Sequence, residues 1–317
     1  MEKITLKNSK NELEITKLAF GHSDITNPDR RALFFRLMDK YIDLGGNCLD
    51  TARLYCGGEA EKLLSTYIKG ARREKIVLIT KCGHYDRQAM LPVSRVNAAD
   101  IISDFETSLK ELETDYVDIL FLHRDDIKRP VEEIMPTLDR FVREGKARIL
   151  GASNWTAGRI QAANKFAAEN GLTPFSVSQI HHSLGLTTPG QSNDYTHVVM
   201  DNIEYYWYKS QKFPVMSWSA SAHGFFSNYA SGNPIKETPM HRYGWLDENI
   251  ERAKRAKKLA DELNAPVGAV VLAYLMCDEA VQTCPVTTFS SENQFNEAIA
   301  ATDLKLTRAQ VDFLING

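Results

Sequence analysis

The chain has 317 residues, 43% apolar and 25% charged, the composition of an ordinary globular protein large enough for one α/β unit. Its formal net charge is −3 with Lys and Arg dispersed, which excludes an electrostatic argument for nucleic acid or a membrane surface as partner. No apolar run approaches membrane-spanning length, and no N-terminal stretch has the charged-then-apolar pattern of a signal peptide. The five cysteines include no CxxC pair, so the expectation is a cytoplasmic protein with reduced thiols and neither disulfides nor a bound metal.

Residues 3–20 read as a β-hairpin: ITLK, a turn at Asn8–Asn11, then the alternating run LEITKLAF. Pro28 and Asp29 open a helix that runs to Gly45-Gly46. CLD is the next strand, EAEKLLSTYIKG a helix ending at Gly70, and VLITK a strand followed by a polar loop through Pro92. Then come helix AADIISDFETSLKELE, strand DILFLH, helix VEEIMPTLDRFVREG, strand RILGAS and helix TAGRIQAANKFAAENG. FSVSQI leads into a long loop and the helix YTHVVMDNIEYYWYKS; PVMSWS leads into another long loop and helices near 248–263 and 266–277. VQTCPV is the eighth strand candidate, with ENQFNEAIAA as its helix. Eight strands alternating with helices, without a linker, predict an α/β (β/α)₈ TIM barrel with an N-terminal β-hairpin, a single domain over 1–317. A doubly wound sheet is disfavoured because no GxGxxG follows any strand. The long segments near 84–97, 183–196 and 221–247 all follow strands, so they are expected to cluster on one face.

Asp50, Tyr55, Lys81 and His123 sit at or just after the C-terminal ends of short apolar runs. Parallel strands collect those ends on one face, where the four side chains converge. Reduction of a carbonyl builds negative charge on oxygen, which a proton and fixed donors must meet. Tyr55 can supply the proton, although a free phenol, with pKa near ~10, is a poor acid at neutral pH. A cation in hydrogen-bonding reach makes the phenol more acidic, the part Lys81 can play, and Asp50 offsets the cost of a semi-buried ammonium. His123 can orient the carbonyl through an imidazole N–H. Taken singly each has a bland reading: Asp50–Lys81 as an ordinary salt bridge, His123 as a satisfied polar side chain. The joint arrangement carries the chemistry.

The chain resembles the aldo-keto reductases over essentially its whole length. LDTARLYCGGEAE is similar to LDTAxxYGxxE, ITKCG to the strand-three Lys segment, and DYVDILFLHRDD to DYxDLxxxHxxD. GKARILGASNW, VSQIHHSL and VMSWSASAHGFF resemble GKxRxxGVSNF, QxxYSL and WSPLAxGxL. The resemblance implies Tyr55 as general acid, with Asp50, Lys81 and His123 in support. It implies Ser153, Asn154 and Gln179 on the nicotinamide carboxamide and Trp218 stacked on its ring. Gly21, His22, Asp50, Ser219 and Ser221 complete the near half of the cofactor site. TTFSSENQFNEAI resembles GSSxxEQLxEN, which implies Phe289, Ser290, Gln294 and Glu297 on the adenosine half. Here Ala298 replaces the usual Asn and no Arg or Lys lies in the segment, so Lys236 or Arg242 would have to reach a 2′-phosphate. The expectation is a metal-free, NADPH-dependent reductase of a small aldehyde or ketone, with NADH as the alternative cofactor. Two other classes accommodate part of the pattern: a cofactor-binding regulatory module like the channel β subunits, and a metal-dependent hydrolase using Asp50, His123 and His181 or His182. The hydrolase leaves Tyr55 and Lys81 unexplained. No pattern specifies the oligomeric state.

Overall fold

The computed structural model describes residues 1–22, 28–86 and 93–317. A hairpin of β1 (Lys3–Lys7) and β2 (Glu12–Thr16) precedes β3 (Ala19–Gly21) and β4 (Cys48–Asp50). β5 (Val77–Cys82) is followed by a small ribbon, β6 (Tyr85–Asp86) with β7 (Val93–Ser94). β8 (Val117–Leu122), β9 (Ala147–Ser153), β10 (Phe175–His181), β11 (Val215–Trp218) and β12 (Thr283–Thr287) complete the strands. Eight of them, β3, β4, β5, β8, β9, β10, β11 and β12, pair in parallel and in chain order into a closed barrel.

Strand alternation sorts the side chains of this barrel into two layers. Cys48, Val77, Ile79, Ile119, Phe121, Ile149, Val177, Met216 and Cys284 pack together as the interior, and Ile4, Leu6 and Ile15 of the hairpin join them from below. Leu49, Leu78, Leu120, Leu122 and Leu150 face outward and pack beneath the helices. Counting two residues on from the interior positions gives Asp50 after Cys48, Lys81 after Ile79 and His123 after Phe121. The same step gives Gln179 after Val177 and Trp218 after Met216. The interior is thus apolar until its last layer, and that layer is polar.

The structure corrects several expected boundaries. LEITKLAF is two strands: pairing with β1 ends at Thr16, and Ala19 begins pairing with the barrel at Val286. The second helix, Glu59–Tyr67, stops three residues before Gly70, whose positive φ of 63° starts a separate turn at Ala71–Glu74. The helix expected from Tyr195 begins only at Asn202, where the Asp201 side chain accepts from the Glu204 N–H as an N-cap. Upstream of it Tyr195 and Thr196 form a turn closed by the His197 N–H on the Asp194 carbonyl, and Val199 makes a parallel bridge with His181. The long 221–247 segment holds two short helices, Phe225–Ala230 and Glu237–Tyr243, and a terminal helix spans Arg308–Asn316. Within the loop after β5, residues 87–92 lie outside the described residues.

Candidate active site

Lys81 is fully buried and donates three hydrogen bonds from its ammonium: to Asp50 Oδ2 at 2.7 Å, to the Thr51 carbonyl at 2.9 Å and to Tyr55 Oη at 3.2 Å. Burial is the largest influence on this ammonium and works against its charge. Asp50 first and Tyr55 second outweigh it, so Lys81 is held above its ordinary range and stays a cation. Asp50 is itself committed on both oxygens, since Gln179 Nε2 donates to Oδ1 at 3.0 Å. The Tyr55 oxygen accepts from Lys81, which leaves the phenolic O–H to donate outward. The ring of His123 stands edge-on to Tyr55 at 5.9 Å, and His84 packs edge-on to His123 at 4.8 Å.

Tyr55 reaches this position through an unusual turn. Cys56, Gly57 and Gly58 have positive φ of 51°, 67° and 98° in succession. At Gly58 the φ of 98° is what favours glycine, because an added Cβ would meet only the movable end of the Arg53 side chain. Cys56 takes the same left-handed region at a cost of roughly 1 kcal/mol.

Beside the tetrad lies a cavity of about 750 Å³, within the range of small-molecule sites. Of the residues that resemblance assigned to a cofactor, Gly21, His22, Asp50, Gln179, Trp218, Ser219, Ser221, Phe289, Ser290, Gln294 and Glu297 line it. Ser153 and Asn154 do not. Asn154 donates to Ser153 Oγ and to the His123 carbonyl, and it accepts from the Val198 N–H at 3.3 Å. Its amide is engaged with the segment that replaced the expected helix.

Sequence reasoning missed part of the wall: Asn228, Ser231, Asn233 and Thr238 from the 221–247 segment, and Gly268 and Asn293 opposite. The polar run SNYASGN after the seventh barrel strand was the available signal. Among the described residues Lys236 is the one Lys or Arg that lines the cavity, whereas Arg242 donates to His223 Nε2 at 2.8 Å. Facing into the same cavity, Glu297 is held above the usual carboxylate range by burial, partly relieved by the Asn293 amide that donates to it. His22 is pushed down to about 3 by burial and is a neutral imidazole; both its ring nitrogens are buried without a partner among the described residues. The Trp218 Nε1–H is likewise buried and unpartnered among them.

Eight parallel strands with polar groups gathered at their C-terminal mouth form an enzyme architecture. The chain belongs to the aldo/keto reductase family, whose sequence model matches residues 17–314. It is accordingly an oxidoreductase of carbonyl compounds, from a family that uses nicotinamide cofactors. An aryl-alcohol dehydrogenase of Pestalotiopsis microspora is 29% identical over 294 residues, covering 90% of this chain and 73% of that protein. Norsolorinic acid reductase A of Aspergillus parasiticus is 28% identical over 288 residues, covering 89% and 70%. A thermostable aldo-keto reductase crystallised with the inhibitor epalrestat shares the fold, with a TM-score of 0.71 at 20% identity over 99% of this chain and 98% of that one.

Proposed function

We propose that this protein is an NADPH-dependent reductase of aldehydes or ketones in which Tyr55 donates the proton. The observation that carries this reading is the Lys81 ammonium held between Asp50 and Tyr55 at the rim of the cavity. The cofactor, when bound, supplies the hydride. Trp218 and Gln179 would hold its nicotinamide; Phe289, Ser290, Gln294 and Glu297 would hold its adenosine, and Lys236 would meet the 2′-phosphate. The fit rests on the cavity's size, the Trp218 and His22 nitrogens that have no partner among the described residues, and its polar far wall. Tyr55 O–H points at the carbonyl oxygen and releases its proton as negative charge builds there. Lys81 stabilises the phenolate left behind, Asp50 keeps Lys81 charged and oriented, and His123 donates to the same oxygen.

Tyr55→Phe removes only the transferable proton and should lower kcat by about 10²–10⁴-fold while NADPH binding is kept. Retained turnover in that variant would rule out Tyr55 as the donor. The names of the relatives make aryl aldehydes and aryl ketones the first substrates to assay. Preference for NADPH is read from Lys236, and dissociation constants for the two cofactors test it; equal affinities would remove the preference.

A further inference from the structure

The indole of Trp218 has no hydrogen bond among the described residues to set its orientation, so its ring contacts must set it. Two imidazoles supply those contacts. His181 stands edge-on at 4.8 Å with an interplanar angle of 88°, and His197 lies tilted by 56° at 4.7 Å. His181 is the strand neighbour of Trp218 and belongs to the barrel. His197 comes from outside it, at the end of a turn that leads into the stretch bridged to β10 at Val199. That segment is fastened by His181 N–H to the Val198 carbonyl, Met200 N–H to the His181 carbonyl, and Val198 N–H to Asn154 Oδ1.

The ring of His197 is locked on both nitrogens. Arg124 can only donate, so Nε2 accepts from its guanidinium at 2.9 Å. Nδ1 therefore carries the proton and donates to Ser192 Oγ at 2.7 Å, while the Ser192 hydroxyl donates to the Pro189 carbonyl. This tautomer also disposes of a tempting alternative. Ser192, His197 and Asp194 have the make-up of a hydrolase triad, but here the imidazole gives its proton to the serine and cannot act as its base. Arg124 in turn donates to Asp194 at 3.3 Å, to Thr196 at 3.0 Å and to the backbone carbonyl of His123 at 2.9 Å. One guanidinium thus ties the strand end that carries the candidate catalytic imidazole to the ring that props Trp218.

We infer that His197 is a positioning residue: its ring sets the tilt of Trp218 and thereby the distance and angle at which the nicotinamide meets the substrate. The inference rests on Trp218 as the nicotinamide partner. A displacement of about 1 Å at the reacting centre is worth up to about 100-fold in rate. The ring contact and the hydrogen bonds of His197 can be separated by substitution. His197→Ala removes both, His197→Gln keeps a polar group for Arg124 without a ring, and His197→Phe keeps a ring without hydrogen bonds.

The measurement is single-turnover oxidation of bound NADPH by an aryl aldehyde. Binding of adenosine 2′,5′-bisphosphate reports an intact fold at the far end of the cavity. Hydride transfer should slow by about 10- to 100-fold in the Ala and Gln variants and return to within a few-fold of wild type in the Phe variant. Affinity for the bisphosphate should stay within about twofold throughout. Wild-type rates in the Gln variant, or a Phe variant as slow as Ala, would overturn the role of the ring. A wild-type protein that does not oxidise NADPH at all would strike the reductase reading itself and remove this inference with it.

Discussion

Two buried carboxylates, Asp50 at the barrel mouth and Asp118 near its floor, pair with cations on neighbouring elements, and they are built for opposite purposes. Asp118 accepts from Arg73 at 2.8 Å, from Arg148 at 2.9 Å and from the Leu78 N–H at 2.9 Å. Both guanidinium groups also lie over the ring of Tyr116, at 4.0 and 4.8 Å. Every partner there is structural, and Arg73 also donates to the Ile76 and Tyr116 carbonyls and to Thr114 Oγ1. At the mouth the cation is a lysine, and one of its three donors goes to a phenol that opens on the cavity. A guanidinium fork saturates its surroundings; an ammonium with one bond aimed at a phenol leaves that phenol's O–H free at the end of the chain of contacts. The difference also follows the fold, since the N-terminal face of such a barrel serves stability and the C-terminal face chemistry.

Breaking each pair separates the two purposes. Lys81→Met should carry the largest effect. Turnover should fall by about 10²–10⁴-fold because the phenolate loses its cation. Stability should also drop by about 3–5 kcal/mol because Asp50 is left buried and uncompensated. Asp118→Asn should cost a similar about 3–5 kcal/mol in denaturant unfolding with kcat and KM unchanged. A loss of turnover in properly folded Asp118→Asn protein would erase the contrast between the two ends.

A third buried carboxylate sharpens the comparison because no cation among the described residues accompanies it. Glu204 accepts from the Ala157 N–H at 3.0 and 3.1 Å, at the start of the helix Ala157–Glu169. Burial pushes it up from 4.5 to about 7. Folded protein therefore holds a proton between those values that the unfolded chain has released, and stability falls as pH rises through that window. Glu204→Gln keeps an acceptor for the amide and removes the titration. It should be more stable than the parent at pH 8, by something of order 1 kcal/mol, with the advantage gone near pH 4.5. Melting curves across that range check the sign, and a pH-independent difference would refute the assignment.

Much of the catalytic end was legible because it depends on local rules. An apolar run that ends in a polar residue marks a barrel strand reaching the mouth, and three such endings, Asp50, Lys81 and His123, with Tyr55 on the turn after the first, make a group of complementary chemistry. The stretch from Tyr195 to Asp201 was misread because YTHVVMDN shares its apolar content with the helix that follows. What separates them is the Asp201 cap and the pairing of Val199 with His181, and pairing with a distant strand leaves no mark on local periodicity. The Val198 N–H of the same segment donates to the Asn154 amide oxygen, a contact that no local pattern announces.

The sequence by itself determined the class of fold and the chemistry at the strand ends, because period-two alternation and strand–helix order act within short stretches of chain. Tertiary structure alone decided that Lys236 lines the cavity while Arg242 turns to His223. It alone brought His197 onto Trp218 and made Asp118 a sealed pair where Asp50 is an open one. Those outcomes depend on contacts between separate loops and strands, and side chains brought together from different elements are chosen by packing and charge in three dimensions.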